Sequence, residues 1–240
     1  MCTVSWARQP GGYHLLSNRD EKRTRGVAYA PAVMERGGVR YVAPVDAEFG
    51  GTWIAVNEFG VSVSLLNGGQ GSQPGRPRRS RGLLVKELAW AESSAESALW
   101  LKQLDLGVYA PFSLLILEPG RPAILADWNA RDLTIDRAAD PRMPLTSSSY
   151  DPDGVRRFRT KELASRIDPS RAIDPALLYW FHASHGASPD AYSPCMHRED
   201  AETVSFSWVI VSEREIRFLY SPAAPCKCSP SSQKILPRAA

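Results

Sequence analysis

The sequence predicts an α+β fold with antiparallel sheets, and three observations carry that reading. Apolar residues alternate with period two through several short segments whose turns are rich in Gly, Pro and Asn. Segments of helical spacing separate blocks of strands instead of alternating with single strands, so the crossovers of a parallel sheet are missing. Hydrophobic residues make up 43% and charged residues 23% of the 240, ordinary values for a chain long enough to bury a large core.

The elements follow in order. Thr3 to Ala7 and Tyr13 to Ser17 alternate on either side of Pro10-Gly11-Gly12 and read as a hairpin. A second pair spans Trp53 to Asn57 and Val61 to Leu66 around Glu58-Phe59-Gly60, closed by Asn67-Gly68-Gly69. From Gly68 to Arg79 the Gly, Pro, Ser and Arg content predicts an exposed loop. Leu84, Leu88, Ala91, Ala95, Leu99 and Leu101 suit one or two amphipathic helices ending near Gly107. Strands at Phe112 to Glu118, Ala123 to Trp128 and Asp132 to Arg137 form a meander with turns at Pro119-Gly120 and Asn129. Helices are predicted from Gly154 to Ile167 and from Pro175 to His182, then strands from Thr203 to Val211 and Glu215 to Tyr220. Residues 1–221 read as a single domain, and 222–240, with Pro222, Pro225, Pro230 and Pro237, as an irregular tail.

Charge excludes some partners. Against 26 acidic residues stand 29 Lys and Arg, a net charge of +3, too little to argue for nucleic acid or an anionic membrane surface. Arg76, Arg78, Arg79 and Arg81 form a basic stretch with no interleaved aromatic residue, which reads as a solvated loop. The longest apolar runs, such as Phe112 to Leu117, fall far short of the roughly 20 residues of a membrane span. No basic and apolar leader opens the chain, so a soluble, cytoplasmic protein is expected.

Cys2, Cys195, Cys226 and Cys228 are too few for a disulfide scaffold. Cys195-x-His197 and Cys226-x-Cys228 could supply four soft ligands, with His182 and His185 upstream. Their spacing is C-x-C, not the C-x-x-C of a zinc ribbon, and two of them sit in the Pro-rich tail. Neither a metal nor an organic cofactor is expected.

Cys2 is the residue of chemical interest. Removal of Met1 would leave a residue with both a thiol and a free α-amine of pKa roughly 7.7–8.0, a nucleophile with its own base. A small residue at a strand start is the plainer account. Arg19 and Asp20 follow the first hairpin and could lie beside Cys2, one lowering the thiol pKa and the other orienting the amine. They equally suit a charged turn with Lys22, Arg23 and Arg25. Asn67 could present its amide to a developing oxyanion, or simply make the turn before Gly68-Gly69.

Met1-Cys2, Asn18-Arg19-Asp20-Glu21, Gly50-Gly51-Thr52-Trp53 with Asn57 and Gly60, then Asn67 and Ser80-Arg81-Gly82 together resemble the NRDE family, also called the transport and Golgi organization family. More distantly, the N-terminal cysteine, the Arg-Asp pair and Asn67 are similar to the choloylglycine hydrolase group, which includes bile salt hydrolases and penicillin V acylases. That resemblance implies an N-terminal nucleophile hydrolase-like four-layer αββα sandwich. It implies Cys2 as nucleophile and amine, Arg19 and Asp20 beside them, and Asn67 in the oxyanion hole. It matches Arg198 to a late active-site arginine, and places Ser147 of Leu145-Thr146-Ser147 where those hydrolases carry an asparagine. Asn18, Trp53 and Ser147 fall to substrate binding. The implied activity is hydrolysis or acyl transfer on a linear amide or acyl bond, with a small acyl or amide molecule as partner. The alternative is a non-catalytic protein that binds or traffics a lipid-like or haem-like ligand in secretory organisation.

Overall fold

Residues 2–68 and 79–239 are described by the computed structural model. The expected loop from Gly68 to Arg79 therefore lies almost wholly outside the described residues. Strands β1 (Cys2–Gln9) and β2 (Gly12–Lys22) form the first hairpin, followed by β3 (Tyr29–Arg36), β4 (Val39–Val45), β5 (Ile54–Asn57) and β6 (Ser62–Asn67). Helices α1 (Arg81–Leu88) and α2 (Ser94–Leu101) lead to β7 (Phe112–Leu117), β8 (Ile124–Trp128), β9 (Leu133–Asp136) and β10 (Leu145–Ser147). The chain continues through α3 (Pro152–Ala164), α4 (Pro175–Ala183), β11 (Ala201–Val211), β12 (Glu215–Ser221) and β13 (Ser232–Pro237).

The strands form two antiparallel sheets, ordered β10-β1-β2-β11-β12-β13 and β3-β4-β5-β6-β7-β8-β9. Their inner faces meet in a core containing Val4, Trp6, Leu15, Ile54, Leu66, Leu115, Val209 and Phe218. Helices α1 and α2 cover the outer face of the seven-stranded sheet through Leu84, Leu88 and Leu101. Helices α3 and α4 cover the six-stranded one through Leu163, Leu178 and Phe181, which pack on Ala7, Leu16 and Phe206. The result is a four-layer αββα sandwich, as expected. Both sheets are buried on both faces, so β1 and β2 are apolar or fully buried at nearly every position.

Four strands escaped the sequence reading. β3 carries Pro31 and exposes six of its eight residues, as an edge strand does, while β4 ends near Pro44 and β10 spans three residues. The tail expected to be irregular contains β13, which pairs with β12 from Glu215↔Pro237 to Tyr220↔Ser232 and buries Leu236. Pro237 ends this edge strand, where a missing N–H costs little.

The helical layer holds a titratable group. His182 on α4 is fully buried, its Nε2 2.9 Å from Ser5 Oγ. Burial, reinforced by the Arg159 charge, pushes its pKa down to about 3. An unfolded histidine titrates near ~6.5. The folded value is depressed, so its stabilisation is complete above pH ~6.5 and is lost as the pH falls toward about 3. Urea unfolding should therefore show roughly 3 kcal/mol less stability from this group at pH ~4 than at pH ~6.5. His182→Gln should flatten that part of the profile, and an unchanged slope would contradict the assignment.

Candidate active site

Register determines which side chains share a face with Cys2. Across β1 and β2, Cys2 pairs with Arg19 and Thr3 with Asn18; on its other flank Cys2 pairs with Ser147 of β10. Paired residues point to the same face and neighbours alternate. Cys2, Arg19 and Ser147 thus face the opposite sheet, whereas Thr3, Asn18 and Asp20 face the helices.

Cys2 lies at the base of a cleft of about 510 Å³, open at one end of the two-sheet interface. Arg19, Asp20, Trp53, Asn67 and Arg81 line it as well. Arg19 donates to Asp46 Oδ2 at 2.8 Å, and its guanidinium lies 4.5 Å from the Trp53 ring centroid. Arg25 shares the same Asp46 oxygen at 3.0 Å. Burial raises the Asp46 pKa, but the Arg25 hydrogen bond, the Phe49 N–H and the Arg19 charge outweigh it and hold this carboxyl below its ordinary value. Arg19 is therefore clamped between an anion and an aromatic face beside the thiol. Among the described residues Trp53 Nε1 is buried without a hydrogen-bond partner, a donor available to a ligand.

The thiol itself is pushed above the usual cysteine range. Burial is the main cause and the Asp20 charge adds to it, while the Arg19 charge and the Asp20 backbone N–H pull the other way without winning. A protonated thiol in a dry pocket needs a base before it can attack a carbonyl. With Met1 attached, the Cys2 nitrogen is an amide and cannot serve.

Glycines explain two sequence motifs. A Cβ on Gly51 would meet Gly82 Cα at 2.8 Å, so the Gly50-Gly51-Thr52-Trp53 and Ser80-Arg81-Gly82 segments pack backbone to backbone. Thr52 N–H donates to Gly82 O at 3.0 Å. This contact brings Trp53 and Arg81 to the same cleft. Arg81 opens α1, where a cation opposes the helix dipole, so helix stability does not account for it. Burial lowers its pKa, and the Cys2 and Glu21 charges work against that. It donates to Pro111 O at 2.9 Å.

The expected site residues divide. Cys2, Arg19, Trp53 and Asn67 line one cleft, and Asp20 borders it with its carboxylate turned toward Arg159 and Thr203. Ser147 stands beside Cys2 in register, its Oγ buried and without a hydrogen bond among the described residues, but outside the cleft lining. Asn18 does not face the cleft: its Nδ2 donates to His182 O at 2.9 Å and Pro194 O at 2.8 Å, as its place on the helix side of β2 dictates. Arg198 is not in the cleft either. It pairs with Asp200 at 2.9 Å in the bend before β11 and lies over the Tyr150 ring. The arginine near Asp20 is instead Arg159 of α3, fully buried, 3.7 Å from Asp20 Oδ2 and bonded to Thr3 Oγ1. Arg159, Arg81, Asp46 and Arg25 were all missed. The signal for Arg159 was its spacing from Val155 and Leu163, which puts it on the buried stripe of α3.

Comparison with known proteins bears on this arrangement. The sequence profile described as Transport and Golgi organisation 2 matches residues 1–149. No curated protein sequence matches the chain. Among solved structures, penicillin V acylase from Agrobacterium tumefaciens superposes with TM-score 0.59 at 11% identity, covering 99% of this chain and 86% of that one. The Caenorhabditis elegans ortholog of N-acylethanolamine-hydrolyzing acid amidase gives 0.60 at 13% identity, covering 98% and 100%. A mutant of the conjugated bile acid hydrolase from Clostridium perfringens gives 0.51 at 10% identity, covering 100% and 97%. At these identities the likeness is one of fold.

Proposed function

The chain belongs to the Transport and Golgi organisation 2 family, and from the cleft around Cys2 we propose that it is an N-terminal cysteine nucleophile hydrolase or acyltransferase acting on a linear amide or related acyl bond. The observation that carries the reading is the pairing of Cys2 with Arg19 at the base of a cleft shared with Asn67 and Asp20. The proteins whose fold it shares are described as a penicillin V acylase, an N-acylethanolamine-hydrolyzing acid amidase and a conjugated bile acid hydrolase.

In the reaction Cys2 Sγ attacks the substrate carbonyl carbon as the thiol proton passes to the α-amine freed by Met1 removal. Asn67 donates to the oxyanion. The α-ammonium then protonates the leaving amine, the C–N bond breaks and a thioester remains on Cys2. Water, or an acceptor amine, adds to the thioester and releases the acyl product and the thiol. Arg19 keeps positive charge beside the sulfur throughout, and Trp53 offers its free N–H to the substrate.

Intact-mass analysis and timed alkylation test the proposal. The mature chain should lack Met1, and Cys2 should react with iodoacetamide at neutral pH faster than Cys195, Cys226 and Cys228. A chain retaining Met1 should lose that advantage, because its Cys2 nitrogen is an amide and the thiol, pushed up by burial, has no base beside it. Equal rates in a processed chain would overturn the nucleophile and leave the cleft as a binding site for a ligand that is not turned over.

A further inference from the structure

Far along the chain from Cys2, three segments converge on one point. His185 follows α4, Cys195 and His197 lie in the bend before β11, and Cys226 sits in the tail after β12. One donor atom from each lies within 4.8 Å of all the others. His197 Nε2 is 3.6 Å from Cys195 Sγ and 3.1 Å from Cys226 Sγ. A tetrahedral zinc with bonds of roughly 2.0–2.3 Å has ligand-to-ligand edges of roughly 3.3–3.8 Å, so no pair of donors has to close by more than about 1 Å to reach that geometry.

We propose that His185, Cys195, His197 and Cys226 form a structural zinc site. An independent observation points the same way: His185 Nε2 is buried and has no hydrogen-bond partner among the described residues. A buried ring nitrogen without a partner costs free energy that a metal bond removes. His197 turns Nε2 to both thiols while its Nδ1 lies 3.5 Å from Glu202 Oε2, the carboxylate-histidine arrangement that orients a ligating imidazole. Backbone bonds hold the two central ligands, Cys195 N–H to Ser184 O at 3.0 Å and His197 N–H to Pro189 O at 3.1 Å.

The ligand set differs from the one suggested by sequence spacing. Cys228 turns away to Ser221 Oγ at 2.8 Å, and His182 is engaged with Ser5. Each cysteine gives up its thiol proton on binding, so two thiolates neutralise the dication and the site adds no net charge. Four protein ligands leave no open position, which makes the metal structural and not catalytic.

The clamp would also stiffen the Cys2 side of the fold. The loop it closes carries the carbonyls of Ala191, Tyr192 and Pro194, which accept from Arg159 and Asn18.

Elemental analysis of the full chain, purified under reducing conditions and desalted, should find about one zinc per chain. Cobalt in its place should give tetrahedral d–d bands with thiolate-to-cobalt charge transfer. Cys226→Ser, at an exposed tail position, should lose the zinc and the charge transfer, whereas Cys228→Ser should keep both. The site is refuted if wild-type protein carries no zinc and shows no charge transfer on adding cobalt, if Cys228→Ser loses metal as fully as Cys226→Ser, or if mass spectrometry of freshly reduced, metal-supplied protein finds Cys195 joined to Cys226 as a disulfide.

Discussion

Cys2→Ala is expected to abolish turnover of acyl amides and acyl thioesters by the processed chain, a loss of at least ~10³-fold in kcat/KM. Alanine keeps the strand position and removes the sulfur alone. Cys2 pairs with Arg19 on one flank and Ser147 on the other, and those backbone ladders do not depend on the side chain. The variant should therefore fold, with its urea midpoint close to wild type. The large effect on rate and small effect on stability are the signature of a nucleophile; a core residue would give the reverse. A panel of amides and thioesters of varied chain length, assayed on both proteins, provides the measurement. Turnover by wild type that survives in Cys2→Ala would exclude the thioester route.

The largest stability effect is expected at Arg159. Its guanidinium is fully buried, 3.7 Å from Asp20, and donates to Thr3 Oγ1, Tyr192 O and Ala191 O. Burial lowers its pKa while the Asp20 and Cys2 charges oppose the shift. Removing one partner of a buried ion pair leaves the other charge in a poor solvent, a cost of about 3–5 kcal/mol. Arg159→Met should lose that much in urea unfolding. Neutralising the pair by combining Arg159→Met with Asp20→Asn should recover part of the loss, because the remaining penalty is then one of packing and hydrogen bonds. A single variant less than ~1 kcal/mol below wild type would show that Asp20 does not rely on Arg159.

These two residues mark how far the sequence could be read. Cys2, Arg19 and Asp20 were accessible because a short hairpin brings its strand ends together, and the Pro10-Gly11-Gly12 turn was visible. What the hairpin could not reveal is parity. Arg19 and Asp20 are adjacent in sequence, but alternation sends Arg19 to the cleft side and Asp20 toward Arg159 and Thr203. Asn18 was assigned to the substrate for want of the same fact. Arg198, matched to a late active-site arginine, lies outside the cleft beside Asp200; which arginine reaches the buried Asp20 depends on how α3 packs on the sheet, and the basic helix Arg156-Arg157-Phe158-Arg159 looks solvent-facing until its Val155 and Leu163 stripe is noticed.

By itself the sequence determined most of the local elements, their antiparallel character and the motifs Asn18-Arg19-Asp20-Glu21 and Gly50-Gly51-Thr52-Trp53, because period, turn chemistry and short hairpins are properties of neighbouring residues. Only the tertiary structure decided that β3 and β13 extend the sheets, that Gly51 meets Gly82, and that His185, not Cys228, joins Cys195, His197 and Cys226. Each of those contacts joins segments distant in the chain. Its geometry comes from packing two sheets and two helical layers around common cores, which no local pattern encodes.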